Sequence, residues 1–346
     1  MKSFFDYERP ELAAMLHPSF RSTQLFKAVY QRRVENFDSI TELSKGERAS
    51  LASEWDIRLP AVHRRFESVD GTRRYLLRLA GGDDGELAET VFIPEETRNT
   101  ICISSQVGCA LACTFCLTGQ LGLTRNLTAG EIVTQVLFAQ RDNLSEEQAG
   151  SFNIVLMGMG EPLHNYDNVM KAIRILHDKH GLNMSMSRIT LSTAGLLPAI
   201  QQLATEPDIP NLAISLTGAT NTKRNELMPI NRKYPLEELL AAVRQFPLKH
   251  RQRVTFEYVL LKGITDSVED ARNLVKLLRG IRAKVNLIPL NEADELDYQR
   301  PTELAIQRFQ QVLIDNNVEA YVRKNRGNDI SAACGQLMKK WSDIPA

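Results

Sequence analysis

The sequence predicts an α/β protein: a parallel sheet covered by helices, curled into a full or partial barrel, behind a small helical N-terminal module. Three observations predict it. From about residue 100, short runs rich in Ile, Val and Leu alternate with helical stretches. Polar residues or glycines follow nearly every run. The first 75 residues lack this rhythm and read as helices and turns. Near-continuous apolar strands separated by helices suit a parallel sheet. In barrels of this kind the C-terminal strand ends form the active-site face.

The N-terminal helices are expected over 21–33, 45–54 and 58–68, with Ser39 and Ser44 as N-caps. Residues 73–79 and 87–93 alternate in the β manner, with Gly81-Gly82-Asp83-Asp84-Gly85 as the turn between them. Barrel strands are expected over 101–105, 154–157, 189–192, 212–216, 254–260, 285–289 and 320–323. The helices between and after them fall at 128–141, 167–179, 196–204, 236–246, 267–279 and 302–316. The division is placed so that an accessory module with its linking hairpin covers 1–94 and the barrel covers 95–346.

The chain has 346 residues, 43% hydrophobic and 24% charged, which is ordinary for a soluble globular protein. It has no run of eighteen apolar residues, so no membrane span is expected. Charges interrupt the first residues before any stretch suited to a signal peptide, so the cytoplasm is the expected compartment. Thiols stay reduced there and available for iron. The 42 basic and 42 acidic residues cancel, so bulk charge does not announce a nucleic-acid partner. Local patches remain. Residues 1–80 carry a net +3, with basic knots at Arg32-Arg33, Arg64-Arg65 and Arg73-Arg74 with Arg78. From charge alone, these read as solvated faces. A denser cluster, Arg323-Lys324-Asn325-Arg326, precedes the last cysteine.

Cys109, Cys113 and Cys116 stand in the run Cys-Ala-Leu-Ala-Cys-Thr-Phe-Cys. Three thiolates leave one iron of a four-iron cluster uncapped, whereas an ordinary iron–sulfur carrier supplies four. Zinc is the competing reading, but structural zinc takes a fourth ligand, usually from a second Cys/His pair. His164 and His177 lack that spacing. The segment resembles the cluster motif of the radical S-adenosylmethionine (SAM) enzymes, in which the open iron binds the amino and carboxylate groups of SAM.

Other motifs are weaker alone. Met157-Gly158-Met159-Gly160-Glu161-Pro162 ends a strand, with glycines that allow close backbone approach and a carboxylate able to pair with an ammonium. Ser192-Thr193 and Ser215-Leu216-Thr217 offer hydroxyls at strand ends, and Asn291 offers an amide suited to an adenine edge. A plain turn or cap competes for each. Cys102 and Cys334 remain, and a lone Cys is more often a small buried hydrophobe. Cys334 lies in Ala-Ala-Cys-Gly-Gln, and a loop thiolate near a barrel mouth suits a methyl acceptor.

Together these residues resemble the RlmN/Cfr family of radical SAM RNA methyltransferases, most like RlmN. The resemblance runs from about residue 85 to 340. It is carried by Glu89–Pro94, Cys102–Cys109, Arg125–Thr128, Met157–Pro162, Leu227–Asn231, Val285–Asn291 and Arg326–Ile330 running into Ala333-Cys334-Gly335. It implies a partial (β/α)6 TIM-like radical SAM barrel and a [4Fe–4S] cluster on Cys109, Cys113 and Cys116. It also implies two SAM molecules per turnover. Cys334 takes a methyl group from the first. The second yields a 5′-deoxyadenosyl radical that removes hydrogen from that methyl group, and the carbon radical adds to an adenine ring carbon. Cys102 then attacks Cys334, leaving a transient disulfide. Glu89 matches the family's proton acceptor. Gly160, Glu161, Ser192, Ser215, Leu216, Thr217 and Asn291 match its SAM contacts. The implied partners are 23S rRNA, with tRNA as a second substrate, and an electron donor such as flavodoxin. The expected state is a monomer without a membrane.

Ring-carbon methylation needs such chemistry, because adenine C2 lies between two nitrogens and cannot attack a sulfonium. The base must also leave its stack, which single-stranded loops permit cheaply. One departure stands out: the family usually reads Ser-Leu-His where this chain reads Ser215-Leu216-Thr217. Three rival readings remain. One is methylation of adenosine at C8, as in Cfr. Another is a radical SAM enzyme acting on protein or small molecules. The third is an RNA-binding factor whose cluster is not catalytic.

Overall fold

The computed structural model describes residues 1–79, 86–145, 152–333 and 335–337. The expected turn at Gly81–Gly85 and the candidate methyl acceptor Cys334 lie outside them.

The N-terminal module is small and aromatic. Strand β1 (Lys2–Ser3) pairs in parallel with β2 (Trp55–Asp56). Between them run α1 (Arg9–Met15), α2 (Arg21–Phe26), which continues into a π-turn over Lys27–Gln31, and α3 (Lys45–Glu54). Phe4 gathers Phe5, Phe26, Tyr30 and Trp55 at ring separations of 5.9 to 6.3 Å. Such edge and tilted contacts favour one arrangement of a small core. Ser44 caps α3 as expected, in a reciprocal box with Glu47. Ser39 does not cap a helix. It closes a 3-10 turn whose cap is Asn36, which accepts from the Ser39 amide at 3.0 Å.

Residues 58–68 are not helical. Ala61–Glu67 forms strand β3, paired antiparallel with β4 (Arg73–Arg78). Asp70-Gly71 makes the turn, with Gly71 at φ +81° and the Ser68 amide bonded to the Thr72 carbonyl at 2.8 Å. An Asp-Gly dipeptide between alternating segments is a hairpin signal. Here it outweighs the helical propensity of the preceding residues.

β4 pairs antiparallel with β5 (Leu87–Ile93), and β5 with β6 (Asn99–Cys102). A hairpin of β7 (Gln106–Cys109) and β8 (Gly122–Asn126) follows, with the short helix α4 (Leu117–Gln120) inside it. Then strands and helices alternate: α5 (Ala129–Asn143), β9 (Phe152–Leu156), α6 (Tyr166–His177), β10 (Ile189–Thr193), α7 (Leu197–Leu203) and β11 (Asn211–Ser215). They continue through α8 (Asn221–Leu227), α9 (Leu236–Gln245), β12 (Val254–Leu260), α10 (Val268–Leu278), β13 (Ala283–Pro289), α11 (Glu303–Asp315) and β14 (Glu319–Val322). The ten-stranded sheet runs β14-β13-β12-β11-β10-β9-β6-β5-β4-β3. Its β6 and β9–β14 are parallel neighbours, so the expected barrel is present and open at one side. Strands β3, β4 and β5 extend the same sheet in antiparallel fashion, whereas β7 and β8 pair only with each other.

Burial alternates along β9 and β10. Phe152, Ile154 and Leu156 of β9 enter the main core, whereas Asn153 and Val155 face a cavity. A closed barrel would fill that inner face with branched apolar side chains. Here the face away from the helices lines an elongated lumen of about 690 Å³. Seven Lys or Arg and three Glu border it, in a chain of zero formal charge. Among the described residues no helix is long and apolar enough to cross a membrane.

Candidate active site

The three thiols come from one tightly turned segment. Cys109 ends β7, Cys113 follows in the loop, and Cys116 is the N-terminal cap residue of α4. Gly108 sits at φ +78°, and a Cβ there would meet the Gly122 carbonyl oxygen at 1.9 Å, so only glycine fits beneath the loop. Ala112 is held at φ +50°, a strained conformation for a residue with a Cβ. The loop is tied down by Thr114, whose amide donates to the Leu227 carbonyl at 3.0 Å and whose hydroxyl accepts from Tyr298 at 2.7 Å.

All three thiols line a cavity of about 180 Å³ at the C-terminal ends of the parallel strands. Gly160, Glu161, Ser192, Ser215, Thr217 and Asn291 line the same cavity. Nine of the residues expected from sequence therefore meet in one place. Leu216 does not; it is fully buried in the main core. Its amide donates to the Glu257 carbonyl at 2.9 Å, so it shapes the strand end rather than the cavity wall.

Gly160 is required where it stands. Its φ is +99°, and a Cβ would lie 2.6 Å from Cβ of Gln106. Glu161 is buried, with Oε2 accepting from the Ala194 amide at 2.8 Å and Oε1 from the Leu163 amide at 3.1 Å. Burial outweighs these bonds and pushes its pKa up to about 7. A cation arriving in the cavity would reverse that shift. Thr217 is buried, and its hydroxyl accepts from the Val259 amide at 3.2 Å. It thus joins β11 to β12 where the family's histidine would carry a ring.

Cys102 and Glu89 lie elsewhere. Among the described residues, neither lines the cavity or the lumen. Cys102 packs with Val91, Met159, Ala332 and Leu337. Glu89 is 1% exposed on β5 and faces Arg74 at 3.6 Å. Arg74 in turn donates to the Ser331 carbonyl at 3.3 Å, and its guanidinium lies 4.3 Å from the Phe66 ring. That contradicts the solvated reading of the Arg73-Arg74 knot: Arg74 is 5% exposed and braces the C-terminal segment. The residues flanking Cys334 reach both cavities, since Ala333 lines the lumen and Gly335 lines the thiol cavity. The Gly335 carbonyl accepts from the Leu117 amide at 2.9 Å, and the Leu337 carbonyl from the Thr118 hydroxyl at 2.9 Å. Both donors belong to α4, directly after Cys116.

Sequence reasoning missed Arg224. It is 1% exposed on α8 and donates to the carbonyls of Ser215 at 2.9 Å, of Leu216, and of Ala194 at 2.7 Å. Burial lowers its pKa to about 10, opposed by nearby Cys113. Nothing in local periodicity distinguishes it from a surface arginine.

The donor set suits a metal cluster. Burial raises Cys109 to about 12, with further repulsion from Glu161 and Cys116. Burial also raises Cys113, with repulsion from Cys116 and Cys109. Thiols so placed ionise when a metal compensates them. Among the described residues no three His, Cys, Asp or Glu side chains converge as a single-ion site. A polynuclear cluster, which spaces its thiolates around a larger body, fits thiols that share a cavity wall.

Comparison with known proteins agrees. The radical SAM superfamily model matches residues 103–277, and the ribosomal RNA large subunit methyltransferase N-terminal domain matches residues 4–57. A dual-specificity RNA methyltransferase RlmN of Syntrophotalea carbinolica is 49% identical over 347 aligned residues, covering 100% of this chain and 91% of its own. The RlmN of Syntrophobacter fumaroxidans is 47% identical, covering 97% and 98%. The crystal structure of a radical SAM methyltransferase from Sphaerobacter thermophilus superposes with a TM-score of 0.90 at 43% identity, covering 97% of this chain and 99% of that one. The cluster cavity, the open barrel and the aromatic N-terminal module thus have one explanation: the chain belongs to the radical SAM superfamily and, within it, to the RlmN family of SAM-dependent RNA methyltransferases.

Proposed function

We propose that this enzyme methylates C2 of adenosine in 23S rRNA and tRNA, through a methyl group carried on Cys334. The observation that supports it most is the meeting of three thiols, Gly160-Glu161 and the strand-end polar residues in one cavity, with Gly335 on its wall. Cys109, Cys113 and Cys116 would hold the [4Fe–4S] cluster. When bound, it would supply the one-electron reduction of the SAM sulfonium that C–H chemistry requires.

The chain's own residues do the rest. Glu161 accepts a hydrogen bond from the SAM amino group, and Gly160 lets the backbone approach it. Ser192, Ser215, Thr217 and Asn291 orient the remainder, and Leu216 holds the strand end that presents Ser215 and Thr217. The Cys334 thiolate accepts the methyl group by displacement, since a thiolate attacks a sulfonium readily. Glu89 accepts the proton lost from the modified carbon. Cys102 attacks the Cys334 sulfur: the S–S bond forms, the bond from that sulfur to the methylene on the base breaks, and the released carbon takes up a proton to become the methyl group, leaving a transient disulfide. The module over 1–94 assists RNA binding and the barrel over 95–346 carries the chemistry. The enzyme acts in the cytoplasm as a monomer and receives electrons from a flavodoxin-type donor.

Anaerobic reconstitution with iron, sulfide, reductant, SAM and RNA tests this reading. It should yield 5′-deoxyadenosine and 2-methyladenosine together, and Cys334→Ala should abolish the second. Methylation at C8 would overturn the regiochemistry. Undiminished methylation by Cys334→Ala would overturn the mechanism.

A further inference from the structure

Four residues, Met157, Glu257, Ile288 and Asn291, line both the thiol cavity and the lumen. They form a neck between the two. Met157 and Ile288 offer apolar surfaces suited to the faces of a flat ring. Glu257 and Asn291 offer polar groups suited to its edge.

Glu257 has no role so far. It lies on β12, 5% exposed. Its Oε1 accepts from Asn286 Nδ2 at 2.9 Å and lies 4.0 Å from Arg323 Nη1. Its Oε2 is buried and has no hydrogen-bond partner among the described residues. A buried acceptor without a donor is costly, so its persistence at a cavity wall points to a donor that arrives with a ligand. Burial raises the carboxyl's pKa, against the pull of Arg323, Asn286 and Lys284, and either protonation state keeps an acceptor.

We propose that Glu257 accepts a hydrogen bond from an adenine amino group seated in this neck. The inference rests on the RNA methyltransferase reading and deepens it. Adenine presents an exocyclic donor where guanine presents an oxygen, so a fixed acceptor favours the first and repels the second. Ser215 is the Cα partner of Glu257 across β11 and β12, so the carboxyl stands beside one wall residue of the thiol cavity. The amine belongs either to SAM or to the target nucleotide, and the two sources can be separated.

The test is a double-mutant cycle on the reconstituted full chain. Glu257→Ala removes the acceptor. In Glu257→Gln, Asn286 holds the amide oxygen and the amide nitrogen faces the neck. Each variant is paired with RNA bearing adenosine or purine riboside at the target, and with SAM or its 6-deamino analogue. Dissociation constants and kcat/KM are both read. Wild-type protein should lose about 10- to 100-fold when one of the two amines is removed, and the variants should lose nothing further for that compound. Loss in the RNA arm assigns the amine to the target; loss in the SAM arm assigns it to the cosubstrate. Equal losses in wild type and variants in both arms would overturn the proposal. Cluster iron content and melting curves identify a variant that fails to fold, and Glu257→Gln, nearly isosteric, then carries the test. A wild type that binds both ligands without making methyladenosine would sink the methyltransferase reading instead, and the binding cycle would still decide on Glu257.

Discussion

Glu161 is a carboxyl whose charge burial opposes and a ligand N–H donor would favour. Its pKa stands at about 7 because burial outweighs two amide bonds. Below that value the free protein holds it protonated, and accepting a hydrogen bond from the SAM amino group requires the proton to leave. The Glu161 contribution to SAM affinity should therefore fall about tenfold per pH unit below 7 and be constant above it. Titration calorimetry in buffers of different ionisation heat checks this through the proton released. Glu161→Gln should bind weakly with no such slope. Gly160→Ala should fail for a different reason, steric rather than electrostatic, because its Cβ would overlap Gln106 at 2.6 Å.

At the scale of elements, α8 acts as a clasp. Arg224 reaches from it to carbonyls at the ends of both β10 and β11, and those ends carry part of the cavity wall. Removing the guanidinium leaves buried acceptors unpaired. Arg224→Ala should cost about 3–5 kcal/mol in denaturant unfolding and weaken SAM binding in the same variant. Lysine should not rescue, since one ammonium cannot reach acceptors spread across two strands. The sheet was legible because most of its parallel strands are short apolar runs and helices such as α6, α9 and α10 are amphipathic; α8, short and polar, was not expected. Most of the site was legible because the motifs end those strands. The edge strand β3 was not, since its charged residues, Arg64 and Arg65, mimic a solvated helix. Its identity lies in the Asp70-Gly71 turn and in pairing with β4. Arg224 and Glu257 were hidden for a related reason: each is a charged residue buried by tertiary contacts that no local pattern encodes.

Across the whole molecule, charge is neutral in sum and uneven in place. The lumen border concentrates cations, among them Arg253, Lys284, Arg323 and Lys324. A polyanion entering there would displace counterions, so RNA affinity should fall steeply with salt. Lys324→Ala should weaken binding and lower the slope of log affinity against log salt by about one. An exposed charge on an outer barrel helix and outside the lumen border, such as Lys276 on α10, should leave the slope unchanged. Filter binding at several salt concentrations measures both.

The hydrogen bonds from α4 to the carbonyls of Gly335 and Leu337 carry a last implication. The same four-residue helix follows Cys116 and holds the residues just after Cys334. If these two cysteines are, as proposed, a cluster ligand and the methyl carrier, loss of iron would loosen the segment that carries the methyl group. Amide exchange at Leu117 should accelerate when the cluster is stripped by chelation, and an unchanged rate would show that the two ends work independently.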